Sequence, residues 1–314
     1  MTDRQVIHAA VAVMRRPDGR VLLGQRPEGK PWAGWWEFPG GKIEPGESAL
    51  QALQRELHEE LDARVVEATP WLTRSFAYPE KTVKLHFFMV HRWMGEPRGK
   101  EGQALSWEHP ERLAVEPVLP ANLPVMRALQ LPEIYAITNL SETAEAQFLT
   151  QLEQALAGGL RLVQVREKQL SIPDLASFAS RVITFCRRHG ARVLLNGHVG
   201  LVNEIGADGV HLTAQQLMSM SQRPQGMWVG ASCHDRNELE QAVRLELDFV
   251  TLSPVLPTHS HPQAASMGWM QFADLIRDYP LPVFAMGGMQ TDILPVARMH
   301  GAHGIAMQRG AWST

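Results

Sequence analysis

The first apolar run, Val6 to Met14 with His8 near its edge, has the length and continuity of a buried strand. Arg16-Pro17-Asp18-Gly19 supplies turn residues, and Val21-Leu22-Leu23 follows as a returning strand, so the segment predicts a hairpin. From Ser48 to Leu61 the period changes. This stretch holds no Gly or Pro and places Leu50, Leu53, Leu57 and Leu61 at spacings of three and four, which predicts an amphipathic helix with Ser48 as its N-cap. Val83 to Arg92 is again strand-like. A Pro-rich stretch then runs from Glu116 to Pro132, and Leu131-Pro132 reads as a domain boundary.

Beyond Pro132 the pattern alternates. Strands are predicted at Ile134–Thr138, Leu160–Arg166, Arg192–Asn196, Gly209–Leu212, Trp228–Ser232, Phe249–Ser253, Val283–Met286 and His303–Met307. Helical stretches such as Ser141–Ala157, Pro173–Arg188 and Asn237–Leu245 lie between them. Strands alternating with helices in this number fit a (β/α)₈ barrel better than an open sheet. The segment is short for such a barrel, and the reading leaves its last helix absent or vestigial.

Composition adds limits. A chain of 314 residues has room for two cores, and 45% hydrophobic with 20% charged residues is ordinary for a globular protein. A net charge of −3 gives no reason to expect polymeric nucleic acid or an anionic membrane as partner. The two cysteines, Cys186 and Cys233, lack metal-type spacing, which favours a reducing, cytoplasmic setting over a disulfide framework. Neither a signal peptide nor an apolar run long enough to span a membrane is read from the chain.

The chemistry concentrates between residues 40 and 61. On the predicted helix Glu56, Glu59 and Glu60 share one face, where three like charges repel. A divalent cation reverses that penalty. Magnesium suits it, with oxygen ligands and retained waters that leave positions for substrate phosphates; manganese is the alternative ion. Gly40-Gly41 lets the backbone approach the metal and offer a carbonyl oxygen, and Glu47 is placed to pair with Arg55. A solvated Glu-rich helix face is the competing reading. Against it stands the whole pattern: Gly41, Glu47, Arg55-Glu56-Leu57 and Glu59-Glu60 at fixed spacing. Its chance occurrence is on the order of 10⁻⁵ over a chain of this length.

That pattern resembles the Nudix box, with Asp62 where the family has Gly. The flanks Trp36 to Glu44, Trp93 to Pro97, Gly99 to Gln103 and Leu119 to Asn122 are similar to the MutT-type 8-oxo-dGTP diphosphatases. The resemblance implies an α/β/α sandwich with a mixed sheet over residues 1–131. It also implies hydrolysis of a nucleoside triphosphate, 8-oxo-dGTP above all, to the monophosphate and pyrophosphate, which clears a mutagenic nucleotide before DNA replication. Metal and base roles fall on Glu56, Glu59, Glu60 and Glu101, with Gly40 as a carbonyl ligand and Arg55 and Glu47 supporting. Arg26 and Phe38 line the nucleotide pocket, and Asn122 reads the purine edge. Trp35 and Trp36 are read as core packing.

Residues 132–314 resemble thiamine phosphate synthase, a compact (β/α)₈ TIM barrel, which makes the whole an α/β and α+β two-domain protein. The carrying positions are Gln164, Arg166 and Lys168, Asn196, Asp208 to His211, Ser232, Thr258, and Gly287-Gly288, all at strand C-terminal ends where such barrels place their sites. Arg166 and Lys168 suit a pyrophosphate and the glycine amides a phosphate. Gly197 and Gln216 stand where the family has magnesium-binding acids, and His261 where it has Lys. His259 and His261 read as part of a His/Pro/Ser loop rather than a metal site. The expectation is therefore a degenerate synthase-like barrel. A Nudix hydrolase of a thiamine-pathway pyrophosphate, a bifunctional enzyme and a ligand-sensing barrel stay open.

Overall fold

The computed structural model describes residues 5–77, 81–258 and 265–312. The chain divides into two compact units, Met1–Gln130 with Arg277–Pro280, and Leu131–Ile276 with Leu281–Thr314. Among the described residues no helix is long and apolar enough to cross a membrane.

The first unit is built on two sheets. β1 (Gln5–Met14) lies at the centre of a mixed four-stranded sheet, antiparallel to β4 (Gly40–Lys42) and parallel to β6 (Lys81–Met94), with β5 (Arg64–Ala77) antiparallel on the outside of β6. β2 (Val21–Gln25) is the middle of a separate three-stranded sheet, between β3 (Trp36–Glu37) and β7 (Leu105–Glu108). The expected hairpin forms only at its turn. Arg16 N bonds Arg20 O, Gly19 N bonds Arg16 O, and a lone bridge joins Arg15 to Val21 before the strands part into different sheets. Val6 is half exposed, so the buried part of β1 begins at Ala10.

Strand alternation sorts the β1 side chains onto two cores. Ala10, Ala12 and Met14 pack with Ala52, Leu53, Leu57 and Leu61 of α1 (Ala49–Leu61). Val11 and Val13 pack with Trp36, Phe38 and Phe87, and with Val125, Met126 and Ala128 of α2 (Leu123–Ala128). The mixed sheet is thus covered by a helix on each face. Within α1 the four-leucine stripe needs one correction: Leu50 is 38% exposed and Ala52 takes its place in the core. A capping box opens the helix, Ser48 Oγ accepting from Gln51 N and Gln51 Oε1 from Ser48 N. Asp62 closes it in the left-handed conformation at φ 56°, where its N–H reaches His58 O.

In the second unit eight parallel strands close into a barrel: β8 (Ile134–Ile137), β9 (Leu162–Val165), β10 (Arg192–Asn196), β11 (Gly209–Leu212), β12 (Trp228–Cys233), β13 (Phe249–Leu252), β14 (Val283–Met286) and β15 (Gly304–Met307). β15 returns to pair with β8, Ile305 opposite Ile134. The connecting helices are α3 (Glu145–Ala157), α4 (Ile172–Arg188), α5 (Val199–Ile205), α6 (Ala214–Ser219), α7 (Arg236–Arg244), α8 (Gly268–Leu275) and α9 (Leu294–Met299). A short 3₁₀ turn, Arg309–Ala311, follows β15. Inside, Tyr135, Leu162, Leu194, Phe249, Phe284 and Ala306 fill the lumen. Gly230 is required there, since a Cβ would lie 2.4 Å from the Phe249 ring.

Candidate functional site

The local sequence brings helix α1 hard against strand β4. A Cβ on Gly40 would lie 2.2 Å from Ala10 O, and one on Gly41 2.3 Å from the Glu56 carboxyl carbon. A side chain is excluded at Gly40 by the β1 backbone, and at Gly41 it would displace the Glu56 carboxylate, so the bare β4 backbone meets the acid face of the helix. Arg55 holds that face in place. Its Nη2 donates to Glu47 at 2.7 Å and to the Lys42 carbonyl at 3.0 Å, and its Nη1 donates to Glu56 at 2.9 Å and Glu59 at 3.1 Å. Those hydrogen bonds hold the Glu47 carboxyl below its ordinary range, Arg55 first and the Glu44 N–H second.

Beside β4 opens a cavity of about 370 Å³. The carboxylates of Glu56, Glu60 and Glu101 line it, as do Arg26, Phe38 and the Gly40-Gly41 backbone. Burial first, and then the charges of Glu56 and Glu101, push the Glu60 carboxyl up to about 7, against the pull of Lys30 and a Gly40 hydrogen bond. Negative charge is therefore crowded at one end of the cavity. The Glu101 loop is fixed by Gln103, whose Oε1 accepts from Glu101 N at 2.8 Å while Nε2 donates to Glu60 O at 3.1 Å.

Not every expected residue gathers there. Glu59 is 59% exposed and turned to Arg55, away from the cavity wall. Asn122 also lies outside the lining; it is buried, at the start of α2, and among the described residues its Nδ2 has no hydrogen-bond partner. Trp36 is core, while Trp35 is partly buried and packs edge-on against the half-exposed Trp32. Two lining residues escape a reading of the sequence. Lys30 donates to Glu101 at 2.5 Å, and Glu37 receives Arg26 Nη1 at 2.5 Å. Burial raises the Glu37 carboxyl and Arg26 opposes it. The adjacency of Arg26 and Glu37 follows from β2 pairing with β3, which no local spacing announces.

Among the described residues, no three Asp, Glu, His or Cys side chains stand together as a ready ligand cluster. Arg55 bridges Glu56 and Glu59, and Lys30 holds Glu101. The donor chemistry nonetheless fits a hard divalent cation. The groups on the cavity wall are carboxylate oxygens beside a backbone stripped of side chains, and a cation relieves the repulsion from Glu56 and Glu101 that adds to burial in raising Glu60.

The interior of the barrel is different in kind. Gln164 Nε2 donates to the Tyr135 hydroxyl at 3.0 Å, the hydroxyl meets His211 Nδ1 at 3.2 Å, and His211 Nε2 meets Ser232 Oγ at 3.0 Å. With Gln164 donating to the phenol oxygen, the phenol hydrogen points to Nδ1, which leaves Nε2–H to donate to Ser232. Burial, with the Arg166 charge second, drives His211 down to about 3, so the imidazole is neutral. Asn196 Nδ2 reaches only the His211 carbonyl, at 3.4 Å, and Lys168 is exposed. Gly287 and Gly288, both at positive φ, pack against the Pro254–Pro257 loop that leads to Thr258. Gln216 Nε2 donates to Gly197 O at 2.6 Å. The buried acid Glu167 is committed to Leu140 N and Gln169. His259 and His261 lie outside the described residues.

Comparison with known proteins matches both units. Residues 6–129 fit the family described as NUDIX domain, and residues 134–311 the family described as Thiamine monophosphate synthase. The chain is 38% identical over 127 residues to the 8-oxo-dGTP diphosphatase of Haemophilus influenzae, covering 40% of this chain and 93% of that protein. It is 38% identical over 124 residues to the CTP pyrophosphohydrolase of Escherichia coli, covering 40% and 91%. It is 29% identical over 188 residues to the thiamine-phosphate synthase of Thioalkalivibrio sulfidiphilus, covering 59% and 89%. Among solved structures, a MutT NUDIX hydrolase from Burkholderia pseudomallei is 29% identical, covering 39% of this chain and 96% of that one, with a TM-score of 0.36.

Proposed function

Because the chain belongs to the Nudix hydrolases through residues 6–129 and to the thiamine monophosphate synthase family through residues 134–311, we propose that its first unit hydrolyses a nucleoside triphosphate to the monophosphate and pyrophosphate, with 8-oxo-dGTP preferred. The observation that carries this reading is the cavity itself, where Glu56, Glu60 and Glu101 share a wall with Phe38 and Arg26. Glu56, Glu60, Glu101 and the Gly40 carbonyl are the groups that would hold magnesium. When bound, the ion supplies charge neutralisation at the phosphates and an acidified water. The carboxylates crowd one another, so one of them is ready to take a proton at its oxygen. Arg55, tied to Glu47 and the Lys42 carbonyl, fixes the helix so that this face does not drift.

Base recognition is assigned to Phe38 in the cavity lining and, on the family resemblance, to Asn122, which stands outside that lining. Phe38 offers a buried aromatic wall, and the Asn122 amide carries a donor that has no partner among the described residues. A buried donor of that kind favours the ligand that completes it and disfavours the one that does not. Equal identity to a diphosphatase of 8-oxo-dGTP and a pyrophosphohydrolase of CTP makes CTP the second candidate. The test is a panel of 8-oxo-dGTP, dGTP, CTP, hydroxymethylpyrimidine pyrophosphate and thiamine pyrophosphate, each with magnesium. Equal turnover of dGTP and 8-oxo-dGTP removes the sanitising assignment. Faster turnover of CTP, or of either thiamine-pathway compound, reassigns the substrate.

For the barrel we infer a binding module for a phosphorylated ligand, without metal-dependent synthase chemistry. Gly197 and Gln216, at the places of the family's acids, satisfy each other instead of presenting carboxylates. Calorimetry with thiazole phosphate and thiamine phosphate tests it; no heat at millimolar ligand removes the binding role, and formation of thiamine phosphate from both precursors removes the claim of lost synthesis.

A further inference from the structure

Two cations and four carboxylates line the cavity of the first unit. A polyphosphate entering such a wall meets net negative charge, so any cation that can be turned toward it matters. Arg26 is already committed. Its Nε donates to Pro31 O at 2.6 Å and its Nη1 to Glu37, a carboxylate that is largely buried.

Lys30 is placed otherwise. It lies on the loop between β2 and β3, and Glu101 on the loop between β6 and β7. The two are joined by a single contact, Nζ to Oε2 at 2.5 Å, with side chains 47% and 44% exposed. An ion pair this open to water contributes little to stability, and exchanging one partner for another costs little. A phosphate oxygen is a stronger partner for an ammonium than a lone hydrated carboxylate, because polyphosphate carries more charge on a smaller surface. The lysine stem is long and its head is a point charge, which suits such a transfer better than the forked Arg26 already held at two points.

We propose that Lys30 is a specificity-determining residue for polyphosphate substrates, its ammonium leaving Glu101 for a substrate phosphate oxygen and so freeing the Glu101 carboxylate for the site. The inference rests on the nucleoside triphosphate reading above and adds to it a coupling. Substrate binding and the availability of Glu101 become one event, and without substrate Lys30 competes with a divalent cation for the same carboxylate.

The test uses the full chain with Lys30→Met, which keeps the stem and removes the charge, and Lys30→Arg, which keeps the charge. Without nucleotide, manganese affinity read by electron paramagnetic resonance should tighten several-fold in Lys30→Met, and Glu101→Gln in that background should abolish the gain. With 8-oxo-dGTP, KM should rise about tenfold in Lys30→Met while kcat changes less, and Lys30→Arg should restore KM. Unchanged manganese affinity overturns the exchange even if KM rises, and unchanged KM overturns the substrate contact. Absence of wild-type turnover on every nucleoside triphosphate brings down the substrate reading itself and this inference with it. An active wild type that Lys30→Met matches brings down the Lys30 assignment alone.

Discussion

The acid face of α1, packed against the backbone of β4, and the polar network inside the barrel differ in how their groups are partnered. Beside α1, burial first and then the charges of Glu56 and Glu101 lift the Glu60 carboxyl to about 7, against the pull of Lys30 and a Gly40 hydrogen bond. In the barrel the polar groups close on themselves: Gln164 to Tyr135 to His211 to Ser232, and Gln216 to Gly197. A site that must receive a charged ligand keeps charge uncompensated. A site whose neutral hydrogen bonds are mutually satisfied leaves the contact with a phosphorylated ligand to charged groups outside that network, Arg166 and Lys168 just after β9.

Paired substitutions test this contrast. Glu56→Gln should reduce nucleotide hydrolysis by at least about 10²-fold, whereas Gln216→Ala should leave hydrolysis unchanged and cost stability of about 1 kcal/mol through its lost cap. Steady-state kinetics and thermal melting read both, and near-wild-type turnover of Glu56→Gln breaks the contrast. Asn122→Ala should reduce the preference for 8-oxo-dGTP over dGTP about tenfold with little change in stability, since the lost Nδ2 had no partner among the described residues; an unchanged rate ratio removes Asn122 from base recognition.

The barrel's closed network makes a prediction in pH. An unfolded imidazole titrates near ~6.5, and burial holds His211 at about 3. Protonation therefore favours the unfolded chain: the contribution is complete above ~6.5 and is lost as pH falls toward 3, at up to about 1.4 kcal/mol per pH unit. Denaturant titrations between pH 7.5 and 5 should show that slope, and His211→Gln should flatten it. The smallest effect is expected at Asp62, where Asp62→Gly relieves a left-handed residue at φ 56° and should gain at most about 1 kcal/mol in thermal unfolding.

Much of this architecture was written locally. The barrel strands declare themselves as short apolar runs between helices, and Arg192–Asn196, Gly209–Leu212 and Val283–Met286 coincide with β10, β11 and β14 to the residue. The helix of the acid face shows its cap and its period. What was not legible is what depends on distant partners. β5, which holds Thr69, Pro70 and Thr73 among its apolar residues, lacks a clean strand signature and exists because β6 lies beside it. α2 hides in a Pro-rich stretch because proline is tolerated in the first helical turn. The same limit applies to the site: the spacing of the glutamates is visible, but not that Glu59 turns to Arg55, nor that Lys30 meets Glu101 across 71 residues.

Closure of the barrel between its first and last strands also governs how the chain is made. Ile305 pairs with Ile134 and Met307 with Ala136, so β8 keeps an open edge until β15 has been synthesised. At about 5–20 residues per second, the ribosome needs roughly 10–35 s to pass from one strand to the other. For that interval the apolar strands of a half-made sheet wait without their final neighbour, exposed to wrong pairing with other nascent chains. The acid helix waits less, because the buried residues of its core run only from Ala10 to Val90. The first barrel strand is thus the one that waits longest for its last neighbour.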